Sequence, residues 1–198
     1  PSKARDLSSA VTVVSHWAKV IAADCDAVII ATPPVSHPEI LEACLDARRP
    51  CIVEKPLCLD VQTAERLHAR VSASGVPVLV NHVHLFDPSY MTLKQAIAAG
   101  GEPIQLIISE GSDLGPFRAE TPALWDWGPH EISLCLDLMG CPPHAVDALG
   151  AQPGPHGAPE AISMRLDFPG GGSAWVHTGA IGPRTRRTVS VFTSQHLY

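Results

Sequence analysis

The sequence predicts an α/β fold: a partial parallel sheet crossed by helices, followed by an α+β domain with a mostly antiparallel sheet. Three observations predict it. Short, continuous, β-branched runs alternate with helix-length amphipathic segments up to Phe86. That alternation is the signature of right-handed crossovers in a parallel sheet. Beyond Phe86 the strands succeed one another with few helices between them, and Pro169-Gly170-Gly171-Gly172 joins two of them as a hairpin turn. Finally, 198 residues that are 45% hydrophobic and 17% charged suffice for two small domains, each with its own core.

The elements follow in order. Residues 10–14 read as a strand and 16–23 as a helix. Ala27-Val28-Ile29-Ile30-Ala31 is an apolar run closed by Thr32-Pro33-Pro34, the pattern of a strand buried on both faces. A helix over 38–47 opens with Pro38, where a missing N–H costs nothing. Cys51-Ile52-Val53 is a second strand, 60–72 a second helix stopped by Gly75, and 76–80 a third strand. The domain boundary is expected near Asp87, giving domains 1–86 and 87–198. In the second, 90–99 reads as a helix, 104–109 as a strand and 129–139 as a helix with Gly140 past its end. Strands are expected near 146–152, 161–168, 173–180 and 187–194.

Composition excludes several classes. A formal net charge of -6 gives no general attraction to nucleic acid or anionic membrane. The basic cluster Arg184, Arg186 and Arg187 follows Gly182-Pro183 and reads as a solvated hairpin loop. No apolar run approaches the roughly 20 residues that span a bilayer. Six cysteines without a Cys-x-x-Cys pair read as reduced thiols, the cytoplasmic pattern.

Four groups of residues carry chemistry. Lys55, in Val53-Glu54-Lys55-Pro56, stands at the carboxyl end of a predicted buried strand, where open α/β sheets gather ligands. It is either a partly desolvated lysine able to exchange protons or a surface lysine at a strand end. In Trp125-Asp126-Trp127-Gly128-Pro129-His130, the histidine falls in the first turn of a helix. The positive end of the macrodipole opposes its protonation there and favours a proton acceptor. Asp126 could orient that ring or bind a hydroxyl; equally, Asp126 is a turn residue and His130 a core histidine. Thr32, Pro33, Pro34 and His37 form a rigid loop at another strand end, which either packs along a dinucleotide or simply turns the chain. Asn81-His82-Val83-His84 alternates histidines, so the two rings would share one face of a strand. A zinc pair there lacks further ligands, so no metal is expected.

Taken in order, DAVIIATPPVSHPEI, PCIVEKPL, VPVLVNHVHLFDPSY and WDWGPHEISLCLDLMG resemble segments of the Gfo/Idh/MocA family, that of glucose-fructose oxidoreductase and inositol 2-dehydrogenase. The resemblance runs from about residue 24 to the end. It implies a partial Rossmann-type domain and a substrate-binding, dimerising domain; an uncovered apolar face of the C-terminal sheet would seek a partner, so a homodimer or homotetramer is expected. It further implies hydride transfer between NAD or NADP and the carbinol of a sugar, nucleotide sugar or cyclitol. Lys55 matches the family's active-site lysine, and Asp126 and His130 its acid/base pair, with His130 the base. Thr32, Pro33, Pro34 and His37 match the loop along the cofactor, Glu54 matches a residue beside its nicotinamide end, and His82 and His84 fall on a strand end that faces the same pocket, with His84 expected at the cofactor. The sequence departs from the family in three ways. No Gly-x-Gly-x-x-Gly turn opens a helix, and the acidic residue for the ribose is missing, so a fragment is expected. Ser133 stands where many members carry Asp. The rival reading is a non-catalytic descendant that keeps the sheet for dimerisation.

Overall fold

The computed structural model describes residues 11–150, 154 and 156–198, in two compact units that divide between Asn81 and His82. The first unit runs α1 (Trp17–Ile21), β1 (Val28–Ile30), α2 (His37–Asp46), β2 (Cys51–Glu54), α3 (Val61–Ser74) and β3 (Val78–Asn81). Its strands pair in parallel in the order β1-β2-β3. Register aligns Val28 with Cys51 and Ile30 with Val53, and these four residues face a core completed by Leu41, Cys44 and Leu67. Leu67 is the one fully buried side chain of α3, so it anchors that helix; truncation to alanine costs about 2–5 kcal/mol.

The opposite row, Ile29, Ile52 and Leu79, is in register across the three strands and open to solvent, Ile29 to 71%. The expectation of strands buried on both faces is therefore corrected for the described residues. Helices α2 and α3 fold back onto the core that holds Val28 and Val53, which leaves the alternate positions uncovered. The strand expected over 10–14 is also corrected: residues 11–14 are irregular and carry no ladder bonds, and residue 10 lies outside the described residues.

The second unit contains α4 (Pro88–Gly100), β4 (Ile104–Leu114), α5 (Ala123–Asp126), α6 (Gly128–Met139), β5 (Ala145–Gly150), β6 (Ala161–Asp167), β7 (Ser173–Gly179) and β8 (Ile181–Thr193). Helix α4 is framed by local chemistry. Asp87 accepts from the Ser89 amide at 2.8 Å, and Gly101 supplies the left-handed residue (φ 71°) past its end. The sheet order is β5-β6-β7-β4-β8. All pairs are antiparallel except β4 with β7, matching the mostly antiparallel sheet that the sequence predicts. Its inner face packs Ile107, Phe168, Ala174, Val176 and Val191 against Cys135 of α6 and Ile97 of α4.

Two strands exceed expectation. β4 runs on to Leu114, and β8 begins at Ile181, so Arg184, Arg186 and Arg187 lie within a strand and not in a hairpin loop. The reason is pairing: Ser112, Gly111 and Glu110 of β4 meet Arg186, Arg187 and Thr188 across an antiparallel ladder, and Arg186 forms an ion pair with Glu110 at 3.2 Å. The strand near 146–152 is β5, which ends at Gly150; residues 151–152 lie outside the described ones. No described helix is long and apolar enough to cross a membrane.

Candidate active site

In the first unit, the three strands end side by side and release three loops at one sheet edge, the position at which α/β sheets bind ligands. After β1, Pro34–Ser36 make one turn of 3-10 helix, tightened by the Ser36 hydroxyl donating to Thr32 Oγ1 at 2.7 Å and to the Pro33 carbonyl at 2.8 Å. His37 is wholly buried. Its Nδ1 lies 2.8 Å from the Pro56 carbonyl and its Nε2 2.7 Å from the Thr32 carbonyl. The ring therefore ties the loop after β1 to the segment that carries Lys55, and that bracing is the role its geometry gives it. After β2, Lys55 precedes Pro56 across a cis peptide bond. Glu54 accepts from Asn81 Nδ2 at 2.7 Å, a bond between register partners that fixes the carboxylate along the edge.

In the second unit, the stretch after Asn81 leaves the strand. Val83–Phe86 form a 3-10 turn, so His82 and His84 do not alternate along a ladder as the sequence suggested. β3 has no further partner to extend against, and Asp87-Pro88 begins a helix just beyond. His84 instead meets His130: the ring centres are 4.5 Å apart with planes at 69°, an edge-to-face pair. His82 has a buried Nδ1 with no hydrogen-bond partner among the described residues, and burial lowers its pKa.

His130 occupies the first turn of α6, its backbone N–H donating to the Trp127 carbonyl at 3.1 Å. Ser133 donates its hydroxyl to the His130 carbonyl at 2.8 Å, securing the histidine's own turn of backbone. Asp126, the last residue of α5, forms an ion pair with Arg118 at 3.1 Å. Among the described residues no group of three or more His, Cys, Asp or Glu could hold a metal ion. All six cysteines are free, and burial pushes the Cys51 and Cys135 thiols up to about 12, so neither is a thiolate nucleophile at neutral pH.

The residues that sequence reasoning missed are Glu131, Ser109 and Arg187. Glu131 is fully buried beside His130, accepting from Ser109 Oγ at 2.6 Å and from Arg187 Nε at 2.9 Å. Arg187 also bonds His84 Nε2 through Nη1. A signal for Glu131 was available, since it follows the histidine in a helix whose apolar positions pack on the sheet. Arg187 gave none, because a basic cluster after Gly-Pro looks solvated.

Comparison with known proteins agrees with this architecture. The oxidoreductase family with an NAD-binding Rossmann fold matches residues 1–82, and the GFO/IDH/MocA C-terminal domain matches residues 90–196. Inositol 2-dehydrogenase of Mycolicibacterium smegmatis is 37% identical over 155 residues, covering 76% of this chain and 45% of that protein. UDP-N-acetylglucosamine 3-dehydrogenase of Acidithiobacillus ferrooxidans is 30% identical over 131 residues, 65% of this chain and 40% of that protein. The chain thus spans less than half the length of these relatives. A solved protein from Magnetospirillum magnetotacticum superposes with a TM-score of 0.90 at 34% identity, over all of this chain and 64% of its own. In fold alone, GenD2 of gentamicin A biosynthesis, solved with NAD, resembles it with a TM-score of 0.86 at 23% identity, over 95% of this chain and 58% of that one. The chain belongs to the Gfo/Idh/MocA family of oxidoreductases.

Proposed function

We propose that this chain belongs to a dehydrogenase that moves a hydride between NAD or NADP and a ring carbinol of a cyclitol, sugar or nucleotide sugar. The observation that carries the reading is the pairing of His84 with His130 in the first turn of α6, in a family chain that also presents Lys55 at the carboxyl end of β2. The named activities of the relatives, on inositol and on UDP-N-acetylglucosamine, support that substrate class.

The residues present suit the nicotinamide side of a dinucleotide. The Thr32-Pro33-Pro34 loop is held rigid by His37 and Ser36, and Glu54 is fixed by Asn81, so a ligand at this edge meets preformed walls. The glycine-rich turn and the ribose-binding acid do not occur in this sequence. When bound, the nicotinamide supplies the hydride acceptor. His130 takes the hydroxyl proton, aided by Lys55, while Asp126 orients the substrate hydroxyl or the ring. Thr32, Pro33, Pro34, Glu54 and His84 contact or flank the cofactor, with His37 bracing the loop from behind.

An oligomer built on the outer face of the C-terminal sheet completes the proposal. Leu149, Trp175 and Ile108 are exposed there around a cavity of about 420 Å³, an apolar surface suited to a second copy. The free thiols support a reducing, cytoplasmic setting.

The test is NAD+ and NADP+ reduction by the protein at its natural length, against a panel of cyclitols, sugars and nucleotide sugars. Turnover with at least one polyol is expected. Cofactor binding without turnover on any of them would leave the non-catalytic descendant as the better reading.

A further inference from the structure

Glu131 is an unusual residue to find with no solvent exposure, since a buried carboxylate is tolerated only when paired and hydrogen-bonded. Both oxygens are engaged, Oε2 by the Ser109 hydroxyl at 2.6 Å and Oε1 by Arg187 Nε at 2.9 Å. Ser109 stands on β4, Arg187 on β8 and Glu131 on α6, so the carboxylate joins three elements. It fits because Gly111, two residues along β4, has no side chain; a Cβ there would run into the Glu131 carboxyl group. A helix, a sheet and a missing methyl group all hold this one carboxylate.

The guanidinium it anchors has a second partner. Arg187 Nη1 meets His84 Nε2, and the His84 ring packs edge-to-face on His130. A guanidinium has only donors, so His84 Nε2 must be the acceptor, and the ring's proton resides on Nδ1. Asp87, in the same segment, is the opposing influence, since its carboxylate favours a charged ring. Arg187, His84 and Asp87 line one cavity of about 560 Å³ together with Tyr90, Thr188 and Leu134.

We propose that Arg187 is a positioning residue: clamped by buried Glu131, it fixes His84 in the Nδ1–H tautomer and so sets the ring against which His130 is aligned. The chain of contacts runs Ser109, Glu131, Arg187, His84, His130. Each link is directional, so the orientation of His130 is set by a carboxylate that touches no substrate. The catalytic consequence rests on His130 as proton acceptor, but the tautomer itself does not.

The experiment is nitrogen-15 NMR of histidine side chains, with the His84 signals assigned by their loss in His84→Gln. The wild-type protein is expected to show His84 with its proton on Nδ1. Arg187→Lys keeps a cation for Glu131 but has one nitrogen where the guanidinium uses two. His84 should then shift toward the Nε2–H form that free imidazole side chains favour. If that variant fails to fold, the double variant Arg187→Met with Glu131→Gln removes the buried carboxylate together with its partly exposed guanidinium partner and carries the same expectation. A proton on Nε2 in the wild type, or an unchanged tautomer in the folded variant, overturns the inference. In turnover, Arg187→Lys should lower kcat roughly tenfold with KM within about twofold; a shifted tautomer with kcat untouched overturns the positioning role. Failure of the dehydrogenase reading is recognised separately, by wild-type protein that holds the Nδ1–H tautomer yet turns over no polyol.

Discussion

Asn81 donates from its side-chain amide to Glu54 Oε1 at 2.7 Å, and the two residues are register partners on adjacent parallel strands. The bond turns the Glu54 carboxylate along the sheet edge, leaving the next residue, Lys55, as the cation that the loop after β2 presents. Lys55→Ala should therefore lower kcat by about a hundredfold or more, the scale of losing a proton-exchanging group, while the NADH dissociation constant moves within about threefold. Equal losses in kcat and in NADH affinity, measured by steady-state kinetics and fluorescence titration, would reduce Lys55 to a cofactor contact.

His130→Ala tests the proton acceptor. A ring that accepts the hydroxyl proton must be neutral, so wild-type oxidation should be best near neutral pH and fall as the pH is lowered. The variant should lose that neutral optimum and retain only a slow reaction rising with hydroxide. A pH–rate profile of unchanged shape would remove His130 from the role.

Gly111→Ala should be destabilising by about 1–3 kcal/mol, the usual cost of overpacking a filled site, because the new methyl group meets the Glu131 carboxyl group. Combining it with Glu131→Ala should cost less than the two single losses added together. A strictly additive double-mutant cycle, from urea midpoints, would show that the two positions do not compete for space.

His82 gives a pH signature. Burial lowers its pKa below the ordinary 6.5, so the unfolded chain takes up a proton at a pH where the folded chain is still neutral. Between those two values the unfolded state holds more protons, and stability falls as the pH falls; above 6.5 the residue contributes no slope. His82→Phe should flatten the decline in urea midpoint as the pH falls below about 6.5. Parallel declines in both proteins would mean that other groups carry it.

Much of the fold was legible because its signals are local. The β-branched run at Val28 to Ile30 marks a strand, the fixed φ of the proline at position 38 marks a helix start, and the left-handed glycines at 75, 101 and 140 mark helix ends. The positions of Lys55 just past a strand and of His130 in a first helical turn were legible because each neighbours a proline. What escaped depends on tertiary pairing. Arg187 looks solvated until β8 is laid against β4, and the room for Glu131 beneath α6 exists only because Gly111 of β4 has no side chain. His82 and His84 alternate in sequence, yet the helix cap at Asp87 arrives too soon for a strand to continue. The exposed row at Ile29, Ile52 and Leu79 reads as buried, because hydrophobicity alone does not say how many layers of helix are present.

Strand β4 has a hydrogen-bonded neighbour on either side, β7 in parallel and β8 in antiparallel, along most of its eleven residues. Amides so enclosed exchange with solvent only through large-scale opening, which makes β4, like β6 and β7, a stiff line of main chain in the C-terminal unit. Ser109 and Gly111 ride on it, so the floor beneath Glu131 does not yield. Any adjustment of the histidine pair during a reaction cycle must then come from tilting α6 or from the short turn that carries His84, while the sheet acts as the fixed bed against which both are measured.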